Sequence, residues 1–112
     1  MEFRLAHIGL NCVDEETAVS VADRFSQIFD LETRVGNSSV FSGKIVEAMK
    51  TPYLGEKGHI AIATDDVDAA RAYLEKKGIA FNEASAKTKD GRLTAIYLQE
   101  EIGGFAVHLV KA

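Results

Sequence analysis

The sequence has 112 residues, of which 46% are hydrophobic, and its 13 basic and 17 acidic side chains give a formal net charge of −4. This length is enough for one domain that buries its own core. Acidic and basic residues are interspersed, which argues against general binding to nucleic acids or to anionic membranes. Cys12 is the only cysteine, so an intrachain disulfide is excluded and a reducing compartment is favoured.

The N-terminal residues show neither the apolar stretch nor the small-residue cleavage site of a signal peptide. No apolar run approaches the roughly 20 residues that a membrane-spanning helix needs. We therefore expect a soluble, cytoplasmic protein without a membrane partner.

A strand and a helix are the first predicted elements. Ile8 and Leu10 share one face of the strand and His7 lies on the other, because side chains alternate faces along a strand. Cys12 has the phase of the aliphatic face, so we expect it to be buried as a small apolar group. Asp14 is the predicted N-cap of the helix. The apolar face of this helix is predicted from residues at helical spacing: Ala18, Val21, Ala22, Phe25, Ile28 and Phe29.

Three short β-like segments follow the helix, at residues 32–36, 38–42 and 44–50, with Gly- and Ser-containing turns between them. The third segment carries Glu47 between aliphatic neighbours. Residues 51–58 hold the only proline and two glycines, and they are predicted to connect two modules.

The second half of the chain repeats the first. His59-Ile60-Ala61-Ile62 matches His7-Ile8-Gly9-Leu10 at a spacing of 52 residues. A helix capped by Asp66 follows, with an apolar stripe of Val67, Ala70, Tyr73 and Leu74 and a left-handed Gly78 at its end. Strands are then predicted at 80–88, 93–100 and 105–111, joined by turns at Asp90-Gly91 and Gly103-Gly104. The predicted order is βαβββ twice.

The three histidines share one property, which is that each lies opposite the aliphatic side of its strand. If helices cover the aliphatic face, His7, His59 and His108 gather on the other face together with Glu47. Three imidazoles and a carboxylate are a donor set for Zn, Ni, Mn, Fe or Co. The alternative for each histidine is a hydrogen-bonded structural or surface group, and a one-residue register slip would turn Glu47 to solvent.

Three further residues are candidate ligand contacts. Tyr97 alternates with aliphatic neighbours and could orient a substrate oxygen, or it could form a wall with its hydroxyl in water. Asn11 shares the phase of His7 and could bind a ligand, or it could cap the strand end. Arg34 could pair with a carboxylate or phosphate, or it could be a solvated surface side chain.

The strand phrases His7-Ile8-Gly9-Leu10 and Gly58-His59-Ile60-Ala61-Ile62, with the βαβββ order, resemble the vicinal oxygen chelate superfamily. That superfamily includes lactoylglutathione lyases, bleomycin-resistance proteins, methylmalonyl-CoA epimerases and extradiol dioxygenases. The resemblance covers essentially the whole chain. It implies an α+β domain of two glyoxalase-like modules, at 1–50 and 59–112 with a linker at 51–58, whose mixed sheet forms an open cup with the helices outside. It also implies a divalent metal in the cup, held by His7, Glu47, His59 and His108.

One position departs from the superfamily pattern. The last strand usually carries a glutamate in a stretch like Gly-Asn-x-Ile-Glu-Leu, whereas this chain has Gly104-Phe105-Ala106-Val107-His108-Leu109. An imidazole can still bind a metal. Proton transfer by glutamates at the metal, which the resemblance implies, would have Glu47 as its only base.

A narrower resemblance is to a small C-terminal module of some bacterial 2-keto-3-deoxy-6-phosphogluconate aldolases. The similar stretches include Gly36-Asn37-Ser38-Ser39, Pro52-Tyr53-Leu54-Gly55 and Ala72-Tyr73-Leu74-Glu75-Lys76-Lys77-Gly78. This resemblance implies an accessory domain and, as a partner, an aldolase domain or subunit.

Two functions are therefore open. The first is a metal-dependent lyase or isomerase that acts on a small oxygenated metabolite, with Glu47 as the proton acceptor. The second is a non-catalytic module that binds a metabolite or an aldolase. A homodimer is expected in either case, because pairing would cover the edges of an open sheet.

Overall fold

A computed structural model describes all residues 1–112. It confirms the predicted order, which is βαβββ followed by βαβββ. The elements are β1 Arg4–Asn11, α1 Glu15–Phe29, β2 Thr33–Val35, β3 Ser39–Ser42, β4 Val46–Met49, β5 Gly58–Thr64, α2 Val67–Glu75, β6 Phe81–Lys89, β7 Arg92–Ile102 and β8 Phe105–Lys111.

All eight strands belong to one mixed sheet, in the order β2-β3-β4-β1-β5-β8-β7-β6. The first strands of the two modules, β1 and β5, run antiparallel at its centre. Each of them also runs parallel to the last strand of its own module, β4 or β8. The predicted fold class, two modules joined in a mixed sheet, is confirmed.

At the centre of the sheet, the two copies of the repeated segment pair with each other as antiparallel strands. His7 lies opposite Ala61, and His59 lies opposite Gly9. On the outer sides, Gly9 is paired with Glu47 and Ala61 with His108. Two neighbouring rows result, His7–Ala61–His108 and Glu47–Gly9–His59. Since residues directly opposite share a face, and so do residues two apart, both rows lie on one face of the sheet.

Both helices begin at the predicted caps. The Asp14 carboxylate accepts a hydrogen bond from the Thr17 amide at 2.8 Å, and Asp66 accepts one from the Ala69 amide at 3.0 Å. The end of α2 is followed by Gly78 with a φ of 87°, a left-handed conformation that suits glycine. Neither helix has the length and apolarity to cross a bilayer.

The helices cover the face of the sheet opposite the two rows, and each module has its own apolar cluster there. The first cluster contains Cys12, Ala18, Ala22, Val40 and Ala48. The second contains Val67, Ala70, Ile96 and Leu109. Cys12 is buried as predicted.

The predicted apolar face of α1 is wrong in its last turn. Ile28 and Phe29 are 52% and 62% exposed. The last turn still contacts the sheet through Ser26, whose hydroxyl is hydrogen-bonded to the hydroxyls of Ser42 and Thr33. The contact of this turn with the sheet is therefore polar, and Ile28 and Phe29 lie outside it. Tyr73 on α2 is also 40% exposed.

Candidate metal centre

Three polar atoms form a triangle on the face of the sheet away from the helices. Glu47 Oε1 lies 3.2 Å from His7 Nε2 and 3.0 Å from His59 Nε2, and the two nitrogens are 3.2 Å apart. With metal–ligand bonds of about 2.0–2.1 Å, neighbouring ligand atoms stand about 2.9 Å apart in octahedral and about 3.4 Å apart in tetrahedral coordination. The triangle already has the spacing of a metal's ligands.

His108 lies beside this triangle, in the same row of the sheet as His7. One ring nitrogen from each of His7, His59 and His108 lies within 4.8 Å of the other two. The Nδ1 of His108 is 3.1 Å from the Leu109 carbonyl, which can only accept, so this nitrogen carries the proton and Nε2 has a free lone pair. Burial lowers the pKa of His108 to about 4, so its ring is neutral at pH 7. A neutral imidazole oriented through Nδ1 is the form that binds metals.

Glu47 is an anion held in place from both oxygens. Burial alone would raise its pKa, but hydrogen bonds from His59, His7 and Ser39 outweigh this effect and hold the pKa of Glu47 well below its usual range. The buried Ser39 hydroxyl donates to Oε2 at 2.7 Å, which leaves Oε1 to face the imidazoles. Ser39 thus orients the carboxylate.

Gly9 makes the room that His59 needs. A Cβ on Gly9 would lie 2.0 Å from Cε1 and 2.2 Å from Nδ1 of His59, distances that no side chain can accept. The imidazole occupies this space and so reaches across β1 toward Glu47, which sits on the far side of Gly9 in the same row. The side chain of His59 is only 3% exposed.

One arrangement of the protons in the triangle is unfavourable. If both imidazoles donate from Nε2 to Glu47, two N–H groups face each other across 3.2 Å. His59 Nδ1 is buried without a partner whether or not an ion binds Nε2. A cation at the triangle would take the lone pairs of both Nε2 atoms and remove the opposed protons. The donor set therefore fits a divalent metal ion.

The four side chains line a cavity of about 630 Å³, within the range of small-molecule sites. Tyr97 lines it as well, with its ring centroid 4.6 Å from that of His108 and 6.1 Å from that of Tyr53. Burial, Tyr53 and Glu47 raise the pKa of Tyr97, so its hydroxyl stays protonated and can donate a hydrogen bond.

Two of the candidate ligand contacts lie elsewhere. The side-chain amide of Asn11 accepts from the Tyr53 backbone N–H at 3.1 Å and donates to the Gly55 carbonyl at 2.9 Å, which ties the inter-module connector to β1. Arg34 stacks on the outer side of Phe41, 5.8 Å from the ring centroid, and Phe41 in turn contacts His7. Neither side chain lines the cavity.

Four residues of the site were not predicted from the sequence, namely Ser39, Gly9, Lys87 and Lys111. Ser39 and Gly9 share the phase of Phe41 and His7 along β3 and β1, and that phase was the available signal. Lys87 and Lys111, which line the cavity, stand near strand ends among other charged residues and carry no such signal.

Two βαβββ modules that meet at one polar centre define the vicinal oxygen chelate, or glyoxalase-like, class of fold. Solved structures match over nearly the whole chain. A methylmalonyl-CoA epimerase from Streptomyces coelicolor in complex with 2-nitronate-propionyl-CoA is 19% identical, with a TM-score of 0.64 over 97% of this chain and 96% of that one. A methylmalonyl-CoA epimerase in complex with methylmalonyl-CoA and NH4+ is 18% identical, with a TM-score of 0.66 over 100% and 96%. A hypothetical protein from Bacillus halodurans C-125 is 13% identical, with a TM-score of 0.66 over 100% and 96%.

Methylmalonyl-CoA epimerases are members of the vicinal oxygen chelate superfamily, so the predicted fold is confirmed. At such low identity the likeness concerns the fold and not the activity. The sequence matches no family model and no curated protein. None of the comparisons supports the predicted link to an aldolase.

Proposed function

We propose that this protein binds a divalent metal ion in its cup and acts as a lyase or isomerase on a small oxygenated metabolite. The observation that carries the proposal is the triangle of Glu47 Oε1, His7 Nε2 and His59 Nε2, with sides of 3.0–3.2 Å and His108 beside it. The cavity in front of these atoms has room for a metabolite.

His7, His59 and His108 would hold the ion through neutral nitrogens, and Glu47 would hold it through an anionic oxygen. Three nitrogens and one oxygen suit Zn, Ni, Mn, Fe or Co. When bound, such an ion supplies Lewis-acid stabilisation of negative charge that develops on a substrate oxygen.

Glu47 is the only carboxylate that lines the cavity, so it is the one candidate to take a proton from a substrate carbon. Return of this proton from Glu47 to the neighbouring carbon, on the same face of the substrate, would give isomerisation. Its hydrogen bonds make Glu47 a weak acceptor as long as His7 and His59 donate to it. Tyr97 would donate a hydrogen bond to a substrate oxygen, and the cup walls would limit the access of water.

The same low pKa favours a second candidate function, a non-catalytic module that binds a metabolite without changing it. A carboxylate held by three hydrogen bonds is suited to binding and poorly suited to proton abstraction. In that case Glu47 serves as a ligand only.

Metal content separates the metal site from a purely structural polar cluster. We expect purified protein, dialysed against Zn, Ni, Mn or Fe, to retain about one ion per chain by elemental analysis. His7→Ala and His59→Ala should each abolish retention, whereas Lys76→Ala, on the exposed end of α2, should not. An unloaded wild-type protein would contradict the proposal.

Solvent deuterium exchange separates the two functions. Carbon-bound protons next to the carbonyl of 2-oxoaldehydes, 2-hydroxy-acid thioesters and methylmalonyl-CoA can be followed by NMR in D₂O with metal-loaded protein. An enzyme should exchange the proton of its substrate. Glu47→Gln should stop exchange and, if Glu47 is the base, leave the metal bound. Tight ligand binding without exchange would identify the binding module.

A single domain with modules at 1–50 and 59–112, and a homodimer, both stay predictions. The sheet ends in two edge strands, β2 and β6, and Leu5, Ile45 and Phe29 are more than half exposed. Light scattering should give twice the chain mass of 12.2 kDa. A mass of one chain at micromolar concentration would contradict the dimer.

A further inference from the structure

The cavity is lined by more basic than acidic side chains, in a protein whose net charge is −4. Lys87 and Lys111 line it, and Glu47 is its only acidic residue. Neither lysine forms a salt bridge, and both side chains are exposed. They stand at the edge of the cavity that the metal-site side chains line, and nothing in the proposed metal chemistry uses them.

The lysines stand to one side of the metal-site rows. Lys87 on β6 lies opposite Ala95 on β7, and Ala95 lies opposite Val110 on β8, two residues past His108. With strands about 4.8 Å apart and a rise of about 3.4 Å per residue, the Lys87 backbone is roughly 12 Å from that of His108. Lys111 follows Val110 directly. Because a lysine side chain spans about 6 Å, an ammonium group can stand within a small molecule's length of the imidazoles.

The charged groups of the cavity favour an anionic ligand. Glu47 contributes −1, the two lysines +2 and a divalent ion +2, so a loaded cavity carries about +3. A ligand with one carboxylate leaves most of this charge unmatched, and a neutral aldehyde or a catechol leaves all of it. A ligand with a second anionic group placed at the lysines would match it.

We infer, on the basis of the proposed function, that the metabolite is a small acid with a different functional group at each end. One end is the oxygenated group of the proposed metabolite and faces the histidines. The other end carries a carboxylate or a phosphate, several bonds away, and faces Lys87 and Lys111. The lysines select ligands by charge and do not contribute to metal binding.

Matched ligand pairs test the inference with metal-loaded protein. 2-Oxoglutarate and 2-oxohexanoate share a 2-oxo-acid head and differ in the distal carboxylate, and 3-phosphoglycerate and glycerate differ in the distal phosphate. By calorimetry we expect the anion-ended member of at least one pair to bind about tenfold more tightly. The pair with the larger gain identifies the distal group as carboxylate or phosphate.

Lysine variants assign the gain to the proposed residues. In Lys87→Gln/Lys111→Gln the preference should fall to about twofold or less, while metal content and 2-oxohexanoate affinity stay at wild-type values. Lys76→Gln, which removes a lysine far from the cavity, should keep the full preference. Equal binding within both pairs, or a preference that survives the double variant, would overturn the inference and leave the metal site standing.

The metal-free protein tests the lysines independently of the metal. If no metal loads, the proposed function fails, and glutarate and inorganic phosphate are then titrated into the protein while the Ala95 and Val110 amides are followed by NMR. Saturable shifts that the double variant loses would support the anion site. Absence of shifts with both anions would overturn it.

Discussion

Gly9→Ala is the substitution that tests the site geometry most directly. Gly9 lies in a regular strand, outside the left-handed region, so alanine meets no backbone strain there. Its methyl group, however, would lie 2.0 Å from Cε1 of His59. The effect of this variant is therefore expected to come from the displaced imidazole.

The size of the displacement follows from ordinary contact distances. Carbon atoms approach to about 3.5 Å, so the His59 ring would have to move by about 1.5 Å. Its Nε2 contacts with Glu47 and His7, at 3.0 and 3.2 Å, cannot survive such a shift. A metal site tolerates errors of only about 0.2 Å in its bond lengths. We expect metal affinity to fall by about 100-fold or more, and overpacking to cost about 1–3 kcal/mol of unfolding free energy.

The assay is competition for Zn with a fluorescent chelator, combined with urea unfolding of the metal-free protein. Gly78→Ala is the control for lost stability, because a Cβ there meets nothing within 4 Å and its cost comes from the left-handed φ of 87°, away from His59. Wild-type metal affinity in a folded Gly9→Ala protein would refute the argument that Gly9 provides the space for His59.

Ser39→Ala should weaken metal binding about 10- to 100-fold in a folded protein, because Glu47 Oε2 loses its donor; unchanged affinity in the same competition assay would contradict this. In metal-free protein, unfolded His108 takes up a proton near pH 6.5 and the folded form near pH 4, so the unfolding free energy should drop by about 3 kcal/mol as pH falls through that window. Urea titrations at pH 7 and 4 should show a much smaller drop for His108→Gln, and an equal drop would refute the assignment. Ile96→Ala should cost about 2–5 kcal/mol in urea because Ile96 is fully buried, whereas Ile102→Ala, 53% exposed, should cost under about 0.5; equal costs would contradict the core assignment.

Periodicity predicted the elements well because each element carries a local signal. The caps Asp14 and Asp66 form the predicted hydrogen bonds within one turn of the chain. Strand parity predicted which face His7, His59 and His108 share, since alternation is a property of the strand itself. The exposed Phe29 could not be foreseen, because the last turn meets the sheet through Ser26, Ser42 and Thr33, and helical periodicity does not reveal these polar contacts.

The contacts within the site depend on register, which is set by pairing between distant strands and not by local sequence. Parity places Gly9 and His59 on one face, but only the pairing of β1 with β5 sets them directly opposite each other. The same limit applies to Asn11. Its phase along the strand matches that of His7. Its side-chain amide, however, is hydrogen-bonded to Tyr53 and Gly55 of the inter-module connector.

Because β1 and β5 pair antiparallel, an approximate two-fold axis relates the two modules and passes between Gly9 and Ala61. The axis exchanges His7 with His59 and Glu47 with His108. Each module therefore contributes one side chain of the cluster from its first strand and one from its last, His7 and Glu47 from one module and His59 and His108 from the other. Neither half of the chain, folded by itself, would carry the whole cluster.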